Sequence, residues 1–347
     1  MDFSIADNYS PYLIIGKLSR DFYITADNRN IDDAPGGHLL YSAIGMSPWE
    51  RHPGLVSRVG KNYPTEFVAE LAEYGFGTKG IRVLEKDLEH RCFACYYHEE
   101  DEYNIERKSQ SVLAYYFHSG KTFPRELLGY TQPPKYVKDI SRRTDETILA
   151  RDIPSDYLEA RCVHLCPMNY LTHYLLPQAF AGGEKRTITI EAGTEYMHPS
   201  FYDDVKKLVH GLTAFIVKEA DLRSLFSDNL RVREVPDMMK TLRDWGAEYV
   251  VTVMENDDCL LAGSSDGTVK RMRSSEIMNN TDKIGAVSCF CGAFLTGLNE
   301  TYDLYQAAAR GAARTSMLHN ESNPYHNLEI LEALVNEKAN AAMRLIS

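Results

Sequence analysis

Residues 281–298 read TDKIGAVSCFCGAFLTGL. A turn opens there directly into an apolar helix, because Ala286, Phe290, Ala293, Phe294 and Leu298 recur at helical spacing. Gly285 and Ala286 keep the start of that helix slim. Free backbone N–H groups and the positive end of the helix dipole then suit an anion. Phosphoryl transfer at such a place often uses an acid to take a proton. Val287 and Ser288 stand there instead. The segment therefore reads as a working phosphate site, a disabled one, or a helix cap. Two cysteine groups are further candidates: Cys92 and Cys95 in RCFACYY, and Cys162, His164 and Cys166 in RCVHLCP. A zinc site wants four converging ligands. Strand alternation would put Cys162, His164 and Cys166 on one face, but both groups lie in apolar runs, and buried or half-buried packing is the expected state.

Something must position these residues, and the chain supplies an alternation of strands and helices. YLIIG, LVSRVG, GIRVL, RCVHLC, RTITIE, TAFIV and EYVVTVM read as strands. Between them GGHLLYSAIG, PTEFVAELAEYG, NYLTHYLLPQAF, PSFYDDVKKLVHG and VPDMMKTLRDWG read as helices. Such an order predicts an α/β fold with three layers: a mostly parallel sheet covered by helices on both faces. Two stretches break the rhythm, near 22–34 and 90–117, and are expected to form exposed antiparallel strands of a small β-lid on one domain spanning 1–347. Leu328, Leu331, Val335 and Ala342 are in register for an amphipathic terminal helix.

The 347 residues are 44% hydrophobic and 25% charged, an ordinary globular composition. A formal net charge of −11 argues against a large basic footprint for nucleic acid. The N-terminal residues resemble neither a signal peptide nor a membrane span, so a cytoplasmic protein with reduced thiols is expected.

Taken together, the segments resemble the ribokinase/PfkB family of carbohydrate and nucleoside kinases over roughly residues 12–313. Five landmarks in the family's order carry the resemblance: IIGKLSRD, APGGHLLYSAIG, SRVGKNYPTEFVAELAEYGFGTKGI, VVTVMENDDCLLAGSSDGTVKRM and DKIGAVSCFCGAFLTGL. The resemblance implies a sugar or nucleoside at the carboxyl ends of the strands under the lid, with ATP in a neighbouring groove. It also implies in-line transfer assisted by a metal and a final Asp. Asp21 matches the acid that accepts hydrogen bonds from sugar hydroxyls, and Gly36 and Gly37 match paired glycines that let a ligand approach the backbone. His38 and Tyr41 stand where small residues or Asn are common, and Tyr41 could fill part of the pocket or stack on a base.

Departures concentrate on the nucleotide side. After Thr252 the usual glycines are gone, and Glu255, Asp257 and Asp258 bring three carboxylates near the expected polyphosphate path. Lys218 and Asp221 replace the Asn and Glu of the motif that supports Mg²⁺, and Asp221 could still hold a metal-bound water. Upstream, Glu191 and Gly193 stand where a polar pair such as Asp-x-Asn is common. In the last landmark Asp282 matches a loop acid near a monovalent-cation site. Gly285 and Ala286 match the anion hole, Val287 crowds it, and Ser288 replaces the catalytic Asp. A positioned base contributes about 10²- to 10⁴-fold in rate. Three readings follow. One is a binding or regulatory protein for a sugar, nucleoside or phosphometabolite, dimeric through the lid, with transfer from ATP lost or strongly reduced. The second is an atypical kinase that uses Mg·ATP and Asp282 or Asp221 as its base. The third is glycosidic cleavage with Asp21 and a second acid.

Overall fold

A computed structural model describes residues 10–97, 111–182, 186–263, 267–278 and 283–347. Twelve strands and ten α-helices lie within them. The strands are β1 (Tyr12–Ile15), β2 (Ser19–Ile24), β3 (Asn30–Gly36), β4 (Gly54–Val59), β5 (Gly77–Val83), β6 (Arg91–Cys95), β7 (Cys162–Leu165), β8 (Thr187–Glu191), β9 (Ala214–Lys218), β10 (Tyr249–Val253), β11 (Cys259–Ala262) and β12 (Val269–Met272). The helices are α1 (His38–Met46), α2 (Thr65–Glu73), α3 (Val112–His118), α4 (Tyr170–Ala179), α5 (Tyr202–Leu208), α6 (Glu219–Leu225), α7 (Val235–Asp244), α8 (Ala286–Thr301), α9 (Leu304–Thr315) and α10 (Glu332–Met343).

Nine strands form one sheet in the order β12-β11-β10-β9-β8-β7-β1-β4-β5. The pairs from β10 through β5 are parallel, and only β11 and β12 join antiparallel. Parallel strands covered on both faces need apolar side chains in both directions. β1 shows this: Leu13 and Ile15 face the layer of α4, α5, α6 and α7, while Ile14 faces the layer that holds α1 and α8. The α/β, helix-covered architecture expected from the alternation is thus the one observed. No helix among the described residues is long and apolar enough to cross a membrane.

A second sheet, β3-β2-β6, lies over the strand ends. Two corrections arise here. The pair β2–β6 is parallel, not antiparallel. Residues Val112–His118, expected as strand, form α3, whose Tyr116 packs with Phe22, Ile24, Phe93 and Leu127. Tertiary packing of an aromatic-rich segment overrode its β-propensity. Much of the polar turn, residues 98–110, lies outside the described residues. The terminal helix is shorter than expected: Val335 and Ala342 are buried, but Leu331 precedes the helix and is 60% exposed.

α1 and α8 pack backbone against backbone. A Cβ on Gly292 would lie 1.9 Å from the Ser42 carbonyl oxygen, and one on Gly45 2.0 Å from that of Cys289. Two glycines therefore let the helix backbones meet, which brings the first turns of α1 and α8 side by side.

Candidate functional site

The first turn of α1 follows Gly37, which has φ +100°. The glycines at 36 and 37 do permit a close approach, and this chain's own groups make it. A Cβ on Gly36 would lie 2.0 Å from Asp21 Oδ2, and one on Gly37 2.5 Å from the Lys17 carbonyl oxygen. Asp21 is 5% exposed. It accepts hydrogen bonds from the Ser19 hydroxyl, the Gly37 N–H and the Tyr41 hydroxyl. The Tyr41 ring in turn packs on the turn before α8, where a Cβ on Gly285 would lie 2.1 Å from it. Tyr41 thus bridges the residue matched to sugar binding and the turn matched to phosphate binding.

Burial pushes the Asp21 carboxyl up to about 6, against the lowering effect of its three donors. The folded state therefore holds this proton more tightly than the unfolded chain does between about pH 4 and 6. Over that window Asp21 removes stability as pH rises, by up to about 3 kcal/mol. Asp21→Asn should abolish this component. Urea unfolding at pH 4 to 7 should give a shallower loss of stability toward pH 6 in the variant than in the parent chain. Parallel pH profiles would show that the carboxyl is not so perturbed.

At the start of α8, Gly285 caps the helix with φ +67°. Ala286 and the half-buried Val287 line a cavity of about 300 Å³. Ser288, at the position matched to the acid, points away into the protein and is 1% exposed. Its Oγ donates to Glu191 Oε2 at 2.8 Å and lies 2.8 Å from His38 Nδ1. Burial raises the Glu191 carboxyl to about 7, with Lys218 and the Ser288 hydrogen bond opposing it. Burial, with Lys218 and Lys17 nearby, holds His38 down to about 3. With Glu191 ionised, the Ser288 hydroxyl donates a hydrogen bond to the carboxylate and accepts one from His38 Nδ1–H, leaving the lone pair on His38 Nε2.

The cavity occupies the side matched to the nucleotide. Lys218, Glu255, Asp257, Lys283, Val287 and Phe290 are among its walls, and Tyr96 reaches it from beyond the end of β6. The expected trio of carboxylates is corrected. Of the three, Glu255 and Asp257 face the cavity, where Glu219 joins them, and Lys283 Nζ pairs with Asp257 at 3.0 Å. Asp258 is 2% exposed and turned into its own network. Burial works to raise it, but hydrogen bonds from Ser275 and Arg271 outweigh that and hold it below the usual carboxylate range. Thr252 is fully buried and does not line the cavity. Asp221 is 4% exposed and accepts from Thr194 Oγ1 at 2.9 Å. Asp282 lies outside the described residues.

Glu191 is the residue at the centre of the site whose role the sequence reading missed. The available signal was an ionisable side chain ending the apolar run TITIE, all five residues of which are buried. A buried charge needs a partner or a proton.

No family model and no curated protein matches the sequence. Solved structures match its fold. A fructokinase with bound ATP from Xylella fastidiosa superposes with TM-score 0.65 at 11% identity, covering 96% of this chain and 98% of that one. A ribokinase from Cryptococcus neoformans in complex with ADP gives 0.59 at 13%, covering 93% and 97%. A ribokinase from Thermotoga maritima gives 0.56 at 13%, covering 96% and 99%. The chain has the ribokinase/PfkB-type fold of carbohydrate kinases.

Proposed function

We propose that this chain binds a sugar, nucleoside or phosphorylated metabolite on a ribokinase-like scaffold and has lost, or strongly reduced, transfer from ATP. The observation that carries this reading is Ser288: at the position matched to the base it is buried and bonded to Glu191 and His38. No carboxylate among the described residues of the first turn of α8 replaces it. Asp21, closed in by Ser19, Gly37 and Tyr41, supports the loss of transfer, because its acceptor positions are taken by this chain's own donors and not left to a sugar hydroxyl. On the cavity wall Lys218 and Lys283 stand against Glu219, Glu255 and Asp257, so a phosphate there would have to reach one of the two lysines directly. We further propose a cytoplasmic homodimer through the lid region, supported by Leu113 and Phe117 of α3, which are 57% and 80% exposed.

A second reading, an atypical kinase with a non-standard base, is favoured by the His38–Ser288–Glu191 chain, which leaves His38 Nε2 as an acceptor. Burial works against it, because an imidazole held near 3 is a weak base at neutral pH.

Thermal unfolding and calorimetry with Mg·ATP, Mg·ADP, sugars, nucleosides and their phosphates, alongside an ADP-release assay, separate the two. A phosphorylated compound should raise Tm with concentration, without ADP release. Substrate-dependent ADP release would overturn the first reading in favour of the second. Asp257→Asn should free Lys283 for the ligand. One unit interaction at 4 Å in water is worth about 1 kcal/mol, so the phosphate-bearing ligand should bind about fivefold more tightly. Unchanged or weaker binding would place the ligand elsewhere.

A further inference from the structure

Behind Ser288, away from the cavity, three side chains converge from three elements. His164 comes from β7, Glu191 from the end of β8 and Cys291 from α8. One ligand-capable atom of each lies within 4.8 Å of the others. Their side chains are closed off from solvent, at 0%, 2% and 0% exposure. Yet His164 Nε2 and Glu191 Oε1 have no hydrogen-bond partner. Each such buried polar atom left alone costs about 1–3 kcal/mol.

The remaining polar atoms of the histidine and the carboxylate are held. His164 Nδ1 lies 2.9 Å from Thr189 Oγ1, and Glu191 Oε2 accepts from Ser288 Oγ at 2.8 Å. When Nδ1–H donates to Thr189, the lone pair falls on Nε2, which is the form a metal needs. Fixing a ligand through the atom it does not use is the way outer contacts orient metal ligands.

We propose that His164 Nε2, Glu191 Oε1 and Cys291 Sγ bind a divalent cation of the zinc class. One nitrogen, one carboxylate oxygen and one sulfur suit a borderline ion, whereas Mg²⁺ and Ca²⁺ take oxygen ligands. Bonds of about 2.0–2.3 Å in a tetrahedron set neighbouring ligand atoms roughly 3.3–3.8 Å apart. The three atoms, now within 4.8 Å of one another, would draw together to that spacing on binding. Binding releases the thiol proton, and any proton on Glu191, to solvent. Thiolate, carboxylate and neutral imidazole on a dication leave no net charge in the core, which limits the cost of burial. This proposal does not depend on what the cavity binds.

The test is a Co²⁺ titration of the full chain after chelator treatment. One equivalent should produce a thiolate-to-cobalt charge-transfer band and the strong visible bands of a tetrahedral site, and Zn²⁺ should displace both. Cys291→Ala should abolish the charge-transfer band, while Cys92→Ser, at the exposed cysteine, should leave it unchanged. Thr189→Val removes only an outer contact and should weaken zinc roughly 10- to 100-fold in chelator competition. It serves as the deciding variant if Cys291→Ala does not fold. A folded parent chain that gives no thiolate band, a band that survives Cys291→Ala, or zinc affinity unchanged by Thr189→Val would overturn the proposal.

Discussion

Ser288→Asp, the substitution that would return an acid to the first turn of α8, is expected to destabilise the metal-free protein by about 1 kcal/mol at pH 8, more at higher pH, and to restore no transfer from ATP. The new carboxylate would meet Glu191, whose Oε2 now takes the Ser288 hydrogen bond at 2.8 Å. Two unit charges about 4 Å apart at an effective dielectric near 20 repel by about 4 kcal/mol. The penalty needs both groups ionised. Burial already lifts Glu191 to about 7, so at pH 8 the pair escapes most of that repulsion by keeping one proton, at a cost of about 1.4 kcal/mol per pH unit above 7, and the loss should vanish toward pH 5. Ser288→Asp/Glu191→Gln should recover most of the stability at pH 8. Neither variant should release ADP, because Tyr41 still fills the space between Asp21 and Gly285. Chemical denaturation at the two pH values and an ADP-release assay check both parts. Substrate-dependent ADP release by the single variant would mean that the missing base was the sole obstacle.

Gly292→Ala is expected to cost about 3 kcal/mol, the upper part of the usual range for overpacking. Its methyl carbon would sit 1.9 Å from a backbone oxygen of α1, which cannot rotate away as a side-chain tip would. Alanine's better helix propensity returns only about 1 kcal/mol. Separation of α1 from α8 should also break the His38–Ser288 contact, visible as a shift of the His38 ring nitrogen resonances. Gly182→Ala, where the added carbon meets nothing within 4 Å, is the control and should be near neutral. An unchanged unfolding midpoint for Gly292→Ala would refute the close crossing.

Legibility followed the range of the forces involved. The central strands were readable because each is a short apolar run closed by a turn, as in β1 and β8. The lid was readable in part: β2, β3 and β6 fall at the expected stretches, but the parallel β2–β6 pair and α3, helical where Tyr116 packs on Phe22 and Phe93, owe their conformation to one another. Around the site, the loss of an acid at 288 was visible in the residue order. The direction of Ser288, the bonds that close in Asp21 and the turning of Asp258 toward Arg271 and Ser275 were not. Apart from the Ser19 bond to Asp21, each depends on a partner more than ten residues away in the chain.

By itself the sequence determined the layered α/β scaffold and the places where chemistry-bearing residues are missing or changed, since both are written in local pattern and residue type. Tertiary structure alone decided that Glu191 meets Ser288, that His164 and Cys291 gather beside them, and that Tyr41 spans the cleft. The physical reason is that hydrophobic period acts over a few residues, whereas a buried polar atom finds its partner only after sheet and helices have packed.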